Sequence, residues 1–275
     1  MPRLTAKRCR HLKSVSATRP FAYRGAMFKP ADLFDLSQTR HAALFEGCEF
    51  AWDALKRLKE YLEKFPNLGP TGFRKILFAV NMLGAPFLHP MASRRAQRAW
   101  IGPKVLIGEG TVIEDGVIIK GPAIIGRDCE IRHGAYIREN VIIGDGCMVG
   151  NSCEVKQSVL FNDCQVPHFN YVGDSILGHK AHLGAGVILS NVKSLPGNVT
   201  VESEGQKLDT GLRKFGALVG DNAEIGCNSV LNPGSVIGRG GLIYPLTNWR
   251  GVLAANHIVK NRSAHEVHPR RPEGQ

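Results

Sequence analysis

Ile137-Arg138-Glu139-Asn140-Val141-Ile142-Ile143-Gly144-Asp145-Gly146-Cys147-Met148-Val149-Gly150-Asn151-Ser152-Cys153-Glu154-Val155 decides the fold. An aliphatic residue returns at every sixth position, and Gly follows at Ile143-Gly144 and Val149-Gly150. The same spacing runs upstream through Ile131, Ile125, Ile119, Ile113, Ile107 and Ile101. Internal repetition this regular outranks local propensity. Each six-residue unit supplies a short strand and a corner, with the aliphatic residue inward and a small residue relieving the turn. Three units make one triangular coil, so the chain is expected to be mainly β: a parallel β-helix with a small N-terminal helical segment. A composition of 31 Gly and only 7% aromatic residues suits many tight corners and few bulky core layers.

Downstream the frame returns in Leu177, Leu183 and Leu189, then in Val219, Ile225, Leu231, Ile237 and Ile243. Positions 189 and 219 differ by a multiple of six, so 192–213, with Pro196, Gly197, Asn198, Gly205 and Gly211, is an excursion that leaves and rejoins one face. Such loops commonly carry function. We place the earlier loss of frame between Phe161 and Tyr171, a break that a functional site would justify.

The β-helix is assigned to 100–262 and a helical segment to 28–99. Pro30 suits a first helical turn, and Leu44, Phe45, Cys48, Trp52, Leu55, Leu58, Leu62 and Phe65 recur at helical spacing. Pro66, Asn67, Gly69 and Pro70 break that pattern before a shorter helix over 71–82, with Phe73, Ile76, Leu77 and Val80 on one face. These apolar residues read as a packing face that docks on the β-helix or on a neighbouring subunit. The tail 263–275 is expected to be disordered.

The formal charge is +11, and residues 1–26 hold Arg3, Lys7, Arg8, Arg10, Lys13, Arg19 and Arg24 with no acid. A nucleic-acid or membrane arm, a transit peptide with Ser14 and Ser16, and a start at Met27 are all open. We take 1–27 as a disordered basic leader, with nucleic acid not expected as a partner. No apolar run approaches the ~20 residues that cross a bilayer, so no membrane span is expected. Cys129, Cys147 and Cys153 share a repeat position that Val and Ala fill elsewhere, so they read as small, buried, reduced side chains. A disulfide between Cys129 and Cys147, one coil apart, stays open. No His/Cys spacing suits zinc, and no metal is expected.

The coil period stacks Lys120, Arg138 and Lys156, each following an inward aliphatic residue, in successive coils ~4.8 Å apart. Like charges that close repel unless an anion offsets them. A phosphate would do so, and so would local acids such as Glu139 and Glu154. Pro167-His168-Phe169-Asn170-Tyr171-Val172-Gly173-Asp174 then sets a His and a Tyr beside this ladder. A neutral His accepts a proton from an attacking amine or hydroxyl, although most His residues are only satisfied polar groups.

Residues 131–244 resemble the acetyltransferase half of the bifunctional glucosamine-1-phosphate acetyltransferase/uridylyltransferase, the enzyme that makes UDP-N-acetylglucosamine. The likeness runs through Ile137-Arg138, Val149-Gly150-Asn151, Glu154-Val155-Lys156 and His168-x-x-Tyr171-x-Gly173-Asp174. It continues in Leu183-Gly184-Ala185-Gly186, Lys214-Phe215 and Gly220-Asp221. The resemblance implies a left-handed β-helix that forms a homotrimer with sites shared between subunits. It implies His168 as general base, with Glu154 helping to hold it. Arg138, Lys156, Tyr171, His182 and Lys214 would bind an amino-sugar phosphate, and Ala185, Asn191, Cys227, Ala255 and Lys260 would line acetyl-CoA. The amine would attack the thioester as His168 takes its proton, while backbone N–H groups stabilise the oxyanion. A cytoplasmic acyl-CoA-dependent N-acyltransferase is the expectation, and a non-catalytic trimer that binds a sugar nucleotide is the alternative. The sequence departs from the family at His182, where the family has Asn, at Val192, where it has Tyr, and in the longer loop 192–213. The nucleotidyltransferase signature is lacking, so no uridylyltransferase activity is expected.

Overall fold

The computed structural model describes residues 28–65, 99–203 and 205–261. The leader, the helix read over 71–82 and the tail from 263 lie outside them.

The six-residue units form three parallel sheets of eight strands, each taking every third strand. The first face runs from Trp100–Ile101 to Asn248–Trp249, the second from Val105–Ile107 to Val252–Leu253, and the third from Val112–Ile113 to Ile258–Val259. Successive strands are too short to turn back on themselves, so each pairs with the strand one coil away. Ile101, Ile119, Ile137 and Val155 are register partners down the first face. This solenoid matches the left-handed β-helix that the resemblance implies. Ile119, Ile125, Ile131, Ile137, Ile143, Val149 and Val155 are buried in one continuous core. Each aliphatic side chain withdrawn from water contributes roughly 1.5–3 kcal/mol.

The frame is lost elsewhere than expected. Leu160, not Phe161, pairs with Ile143 and enters the core, and Leu177 pairs with Leu160. The steps from Val155 to Leu160 and from Val172 to Leu177 are therefore each one residue short. Both deletions lie at the corner between the first and second faces, at Lys156–Ser158 and at Gly173–Ser175. His168 is in an intact unit that repeats the geometry of Asn151, its register partner one coil above. Shortening a corner strands backbone polar groups, and buried ones must find partners. Serine supplies them. Ser158 Oγ donates to Lys156 O at 2.7 Å and accepts Ser175 N–H at 3.1 Å. One coil on, Ser175 Oγ donates to Gly173 O at 2.8 Å and accepts Ala217 N–H at 3.0 Å.

Another corner is lined inside by Thr111, Cys129, Cys147 and Cys164. Each donates to a carbonyl of the next coil: Gly126, Gly144, Phe161 and Gly178, at 2.7, 3.1, 3.0 and 2.9 Å. The described cysteines are all free thiols, which settles the disulfide left open above. The stacked Cys147 thiol, and then burial, raise the pKa of Cys129, and burial raises that of Cys147, so these groups stay protonated and unreactive. Cys153 lies at the next corner.

The second face differs from the others because its outward positions are aliphatic too. Ile124, Ile142, Val159, Ile176, Leu218 and Val236 are buried under the N-terminal segment, in a cluster with Leu33, Phe34, Leu44, Phe45, Trp52, Leu55, Leu58 and Leu62. Phe161 belongs to this layer, 5.1 Å from the Phe34 ring and 5.5 Å from that of Phe45. The helical unit thus docks on its own β-helix. Its stripe is not one helix. Ala42–Phe45 is a 3-10 turn, Gly47 takes φ +66°, and the α-helix is Asp53–Glu63. Pro30 does open a first turn, Pro30–Leu33. Asp221 fastens the unit, accepting N–H from Asp35 at 2.6 Å and from His179 at 2.8 Å.

The excursion 192–213 is a folded hairpin, with Thr200–Ser203 antiparallel to Gln206–Asp209. Val199 and Val201 are fully buried in the second-face layer.

Candidate functional site

Three successive coils of the first face carry outward charges. Lys120, Arg138 and Lys156 stack in successive coils, but each is met by an acid. Lys120 lies 3.7 Å from Glu139, Arg138 Nη1 lies 3.0 Å from Glu154, and Lys156 Nζ lies 3.1 Å from Asp174. Three cations and three carboxylates cancel, so the ladder needs no phosphate to exist. Burial grades along it. The Lys120–Glu139 pair is well exposed, whereas the Lys156 and Asp174 side chains are 15% and 9% exposed.

The shortened corners create the buried end. Asp174, at φ +49°, accepts from both Lys156 Nζ and Asn191 Nδ2 through one oxygen. Tyr171 stands on the same face beside Glu154, its register partner. Burial, and then the charges of Asp174 and Glu154, raise its phenol pKa. Gly173 makes this cluster possible. A Cβ there would come 2.6 Å from the Tyr171 hydroxyl and 2.8 Å from Asn191 Nδ2. Lys214 is exposed where the hairpin rejoins the coil, next to Phe215, whose N–H donates to Asn191 O at 3.0 Å.

His168 occupies the corner between the third and first faces, three residues before Tyr171. Backbone hydrogen bonds stack this corner as His133, Asn151, His168, Ala185 and Cys227. Ser152, Phe169, Gly186 and Asn228 N–H donate to their carbonyls in turn at 3.2, 2.9, 2.9 and 2.8 Å. Rungs one coil apart are ~4.8 Å apart, so Cys227 is roughly 10 Å from His168. The side chains of His168 and Cys227 are exposed, and those of Ala185 and Gly186 are small. Lys260 extends the edge, its ammonium 6.0 Å from the Tyr244 ring. Phe169 is 61% exposed at φ +53°, a conformation uncommon for a bulky residue.

The candidate residues thus fall into two adjoining groups. Arg138, Glu154, Lys156, Tyr171, Asn191 and Lys214 share the first face and its far corner. His168, Ala185, Cys227 and Lys260 share the near corner. His182 is on the third face between Gln165 and Glu224. Ala255 joins neither group: Asn256 N–H donates to Arg239 O at the corner between the second and third faces. Glu154 holds Arg138 within the chain, not the imidazole, and Asn191 holds Asp174. The corner N–H groups of Phe169 and Gly186 are used in the coil ladder, so an oxyanion donor must be another group. Asp174 and Asn170 join the site only in the structure, because spacing alone does not mark them. The shortened corner that brings Asp174 to Lys156 is hidden by apolar Phe161, which keeps the six-residue spacing in sequence. Among the described residues no His/Cys/Asp/Glu group could hold a metal ion. No described helix is long and apolar enough to cross a membrane.

Residues 119–206 match the family model described as the GMPPB C-terminal domain. A bifunctional sugar-1-phosphate nucleotidylyltransferase/acetyltransferase of Sulfurisphaera tokodaii is 37% identical over 92 residues, 34% of this chain and 23% of that protein. The bifunctional protein GlmU of Methanococcus vannielii is 37% identical over 90 residues, 33% of this chain and 22% of its own length. The chain therefore spans about a quarter of the length of these curated relatives. Among solved structures, a GDP-perosamine N-acetyltransferase from Caulobacter crescentus, in complex with CoA and GDP-perosamine, is 20% identical with a TM-score of 0.24, covering 52% of this chain and 50% of that one. The β-helical core is thus similar in sequence to part of bifunctional sugar-phosphate enzymes, as its motifs imply.

Proposed function

We propose that this chain is an acyl-CoA-dependent N-acyltransferase acting on an amino-sugar phosphate or a nucleotide sugar. The observation that carries this is the juxtaposition of His168 with Ala185 and Cys227 on one corner, beside the Tyr171–Lys156–Asp174–Asn191 cluster. The sugar amine attacks the thioester carbonyl. The new N–C bond forms as His168 takes the amine proton, the C–S bond breaks, and the proton passes to the departing CoA thiolate. Small side chains at Ala185 and Gly186 leave room for the thioester, and Lys260 lies further along the same corner for the charged end of CoA. Tyr171, Arg138, Lys156 and Lys214 orient the sugar phosphate, with Lys214 supplying a cation that forms no ion pair among the described residues.

The described N-terminal segment covers the second face, and we place contacts with other copies on the first and third faces and the corner between them. A homotrimer assembled there would complete each site from a neighbour and relieve Glu154 of Arg138, letting it approach His168. The enzyme would work in the cytoplasm, where acetyl-CoA is available. His182, where the family has Asn, and the hairpin within 192–213 favour a second reading, a non-catalytic trimer that binds a sugar nucleotide. CoA release from acetyl-CoA with glucosamine-1-phosphate or other amino sugars separates the two. Turnover by the wild type that His168→Ala reduces by about 10²-fold or more supports transfer, and no release with any amino sugar leaves the binding protein.

A further inference from the structure

We propose that Asn170 is a positioning residue for His168, a role that rests on the acyl-transfer function above. Its side chain is inside the corner, 2% exposed, in the column of Ala135, Cys153, Val187, Ser229 and Thr247. The residues of this column face a carbonyl of the next coil, and several bridge to it. Cys153 Sγ donates to Val166 O at 3.2 Å, and Ser229 Oγ donates to Tyr244 O at 3.1 Å. Asn170 Nδ2 does the same to Gly184 O at 2.7 Å, which ties the His168 coil to the strand end that leads into Ala185.

The carboxamide then does something that neither a thiol nor a hydroxyl does here. Its Oδ1 turns back and accepts the His168 N–H at 3.0 Å. The corner bearing His168 is thus fixed twice: His168 O accepts Gly186 N–H at 2.9 Å and His168 N–H is held by Asn170. No side-chain hydrogen bond from another described residue holds the imidazole, so the placement of its Cα and Cβ is set by these backbone bonds. One group therefore grips both the proposed base and the rung that faces the thioester. A displacement of about 1 Å between two such groups is enough to lower a rate by up to ~10²-fold.

Asn170→Ser separates this role from simple corner filling. Serine holds the equivalent corner at Ser229, so it retains a donor to the next coil and loses the Oδ1 that accepts the His168 N–H at 3.0 Å and, more weakly, the Cys153 thiol at 3.5 Å. The expected result is a kcat lowered about tenfold, with KM for acetyl-CoA and for the amino sugar unchanged and the thermal unfolding midpoint close to wild type. Amide hydrogen exchange at His168 should quicken while that at Gly186 does not. A kcat equal to wild type overturns the proposal, and so does unchanged exchange at His168, whatever the activity. Absence of CoA release from the wild type itself is a different failure, that of the acyl-transfer function.

Discussion

The displaced frame makes a sharp energetic prediction at Phe161. Six residues after Val155, an unbroken repeat would point this ring into the β-helix, whereas the shortened corner turns it outward against Phe34 and Phe45. Phe161→Ala removes a fully buried ring and should cost about 3–5 kcal/mol, and Phe34→Ala, also buried, a similar amount. Neither number alone says where Phe161 points. The double variant does. With ring centroids 5.1 Å apart, the two truncations share one cavity, and the direct pair should contribute about 0.5–1.5 kcal/mol beyond area burial. The double loss should therefore differ from the sum of the single losses by about 1 kcal/mol or more. Urea unfolding of the four proteins measures this, provided the slope with denaturant is the same in all. Losses that add to within about 0.3 kcal/mol would place Phe161 away from Phe34 and refute the shortened corner.

Burial predicts that Lys156→Ala costs about 3 kcal/mol, since Asp174 would be left buried and unpaired, while Lys120→Ala costs less than about 1 kcal/mol; equal losses in urea unfolding would contradict the grading. His41 is buried and its pKa is lowered to about 4, first by desolvation. The unfolded chain then binds more protons between pH 6.5 and 4, so about 3 kcal/mol of stability present above pH 6.5 is lost as pH falls to 4. Thermal melts of wild type and His41→Asn should show that slope only in the wild type. Phe169→Gly relieves a left-handed conformation of an exposed ring, as Gly186 does one coil below. Unfolding free energy should stay within about 0.5 kcal/mol of wild type or rise, and a loss above about 1.5 kcal/mol would show that the ring is packed.

Much of the fold is written plainly in the sequence. Ile101 to Val155 all point inward, and Leu177, Leu183 and Leu189 recover the frame, because an inward residue at a strand centre has no freedom to be polar. The corners are less legible. Deleting one residue at Lys156–Ser158 and another at Gly173–Ser175 leaves no local signature except a serine, and apolar Phe161 mimics an uninterrupted repeat. The stripe from Leu44 to Phe65 looks like one helix because a helix and a turn packed on one sheet both need apolar residues every three or four positions. Gly47 at positive φ was the available signal. In the candidate site, the cation ladder follows from the eighteen-residue period. Its neutralisation by Glu139, Glu154 and Asp174 depends on which rotamers meet across coils, and spacing alone does not give that.

One location decides the proposed function: the corner carrying His168, Ala185 and Cys227 as the seat of the acyl donor. Cys227 is an exposed free thiol on that corner, whereas Cys129, Cys147, Cys153 and Cys164 are buried. Its alkylation by iodoacetamide, followed by mass spectrometry of the Cys227 peptide with and without acetyl-CoA, reads occupancy directly. Acetyl-CoA should slow modification of Cys227 several-fold at saturation and leave Cys48 unaffected. An unchanged Cys227 rate at concentrations where acetyl-CoA is shown to bind would put the donor elsewhere and contradict the account.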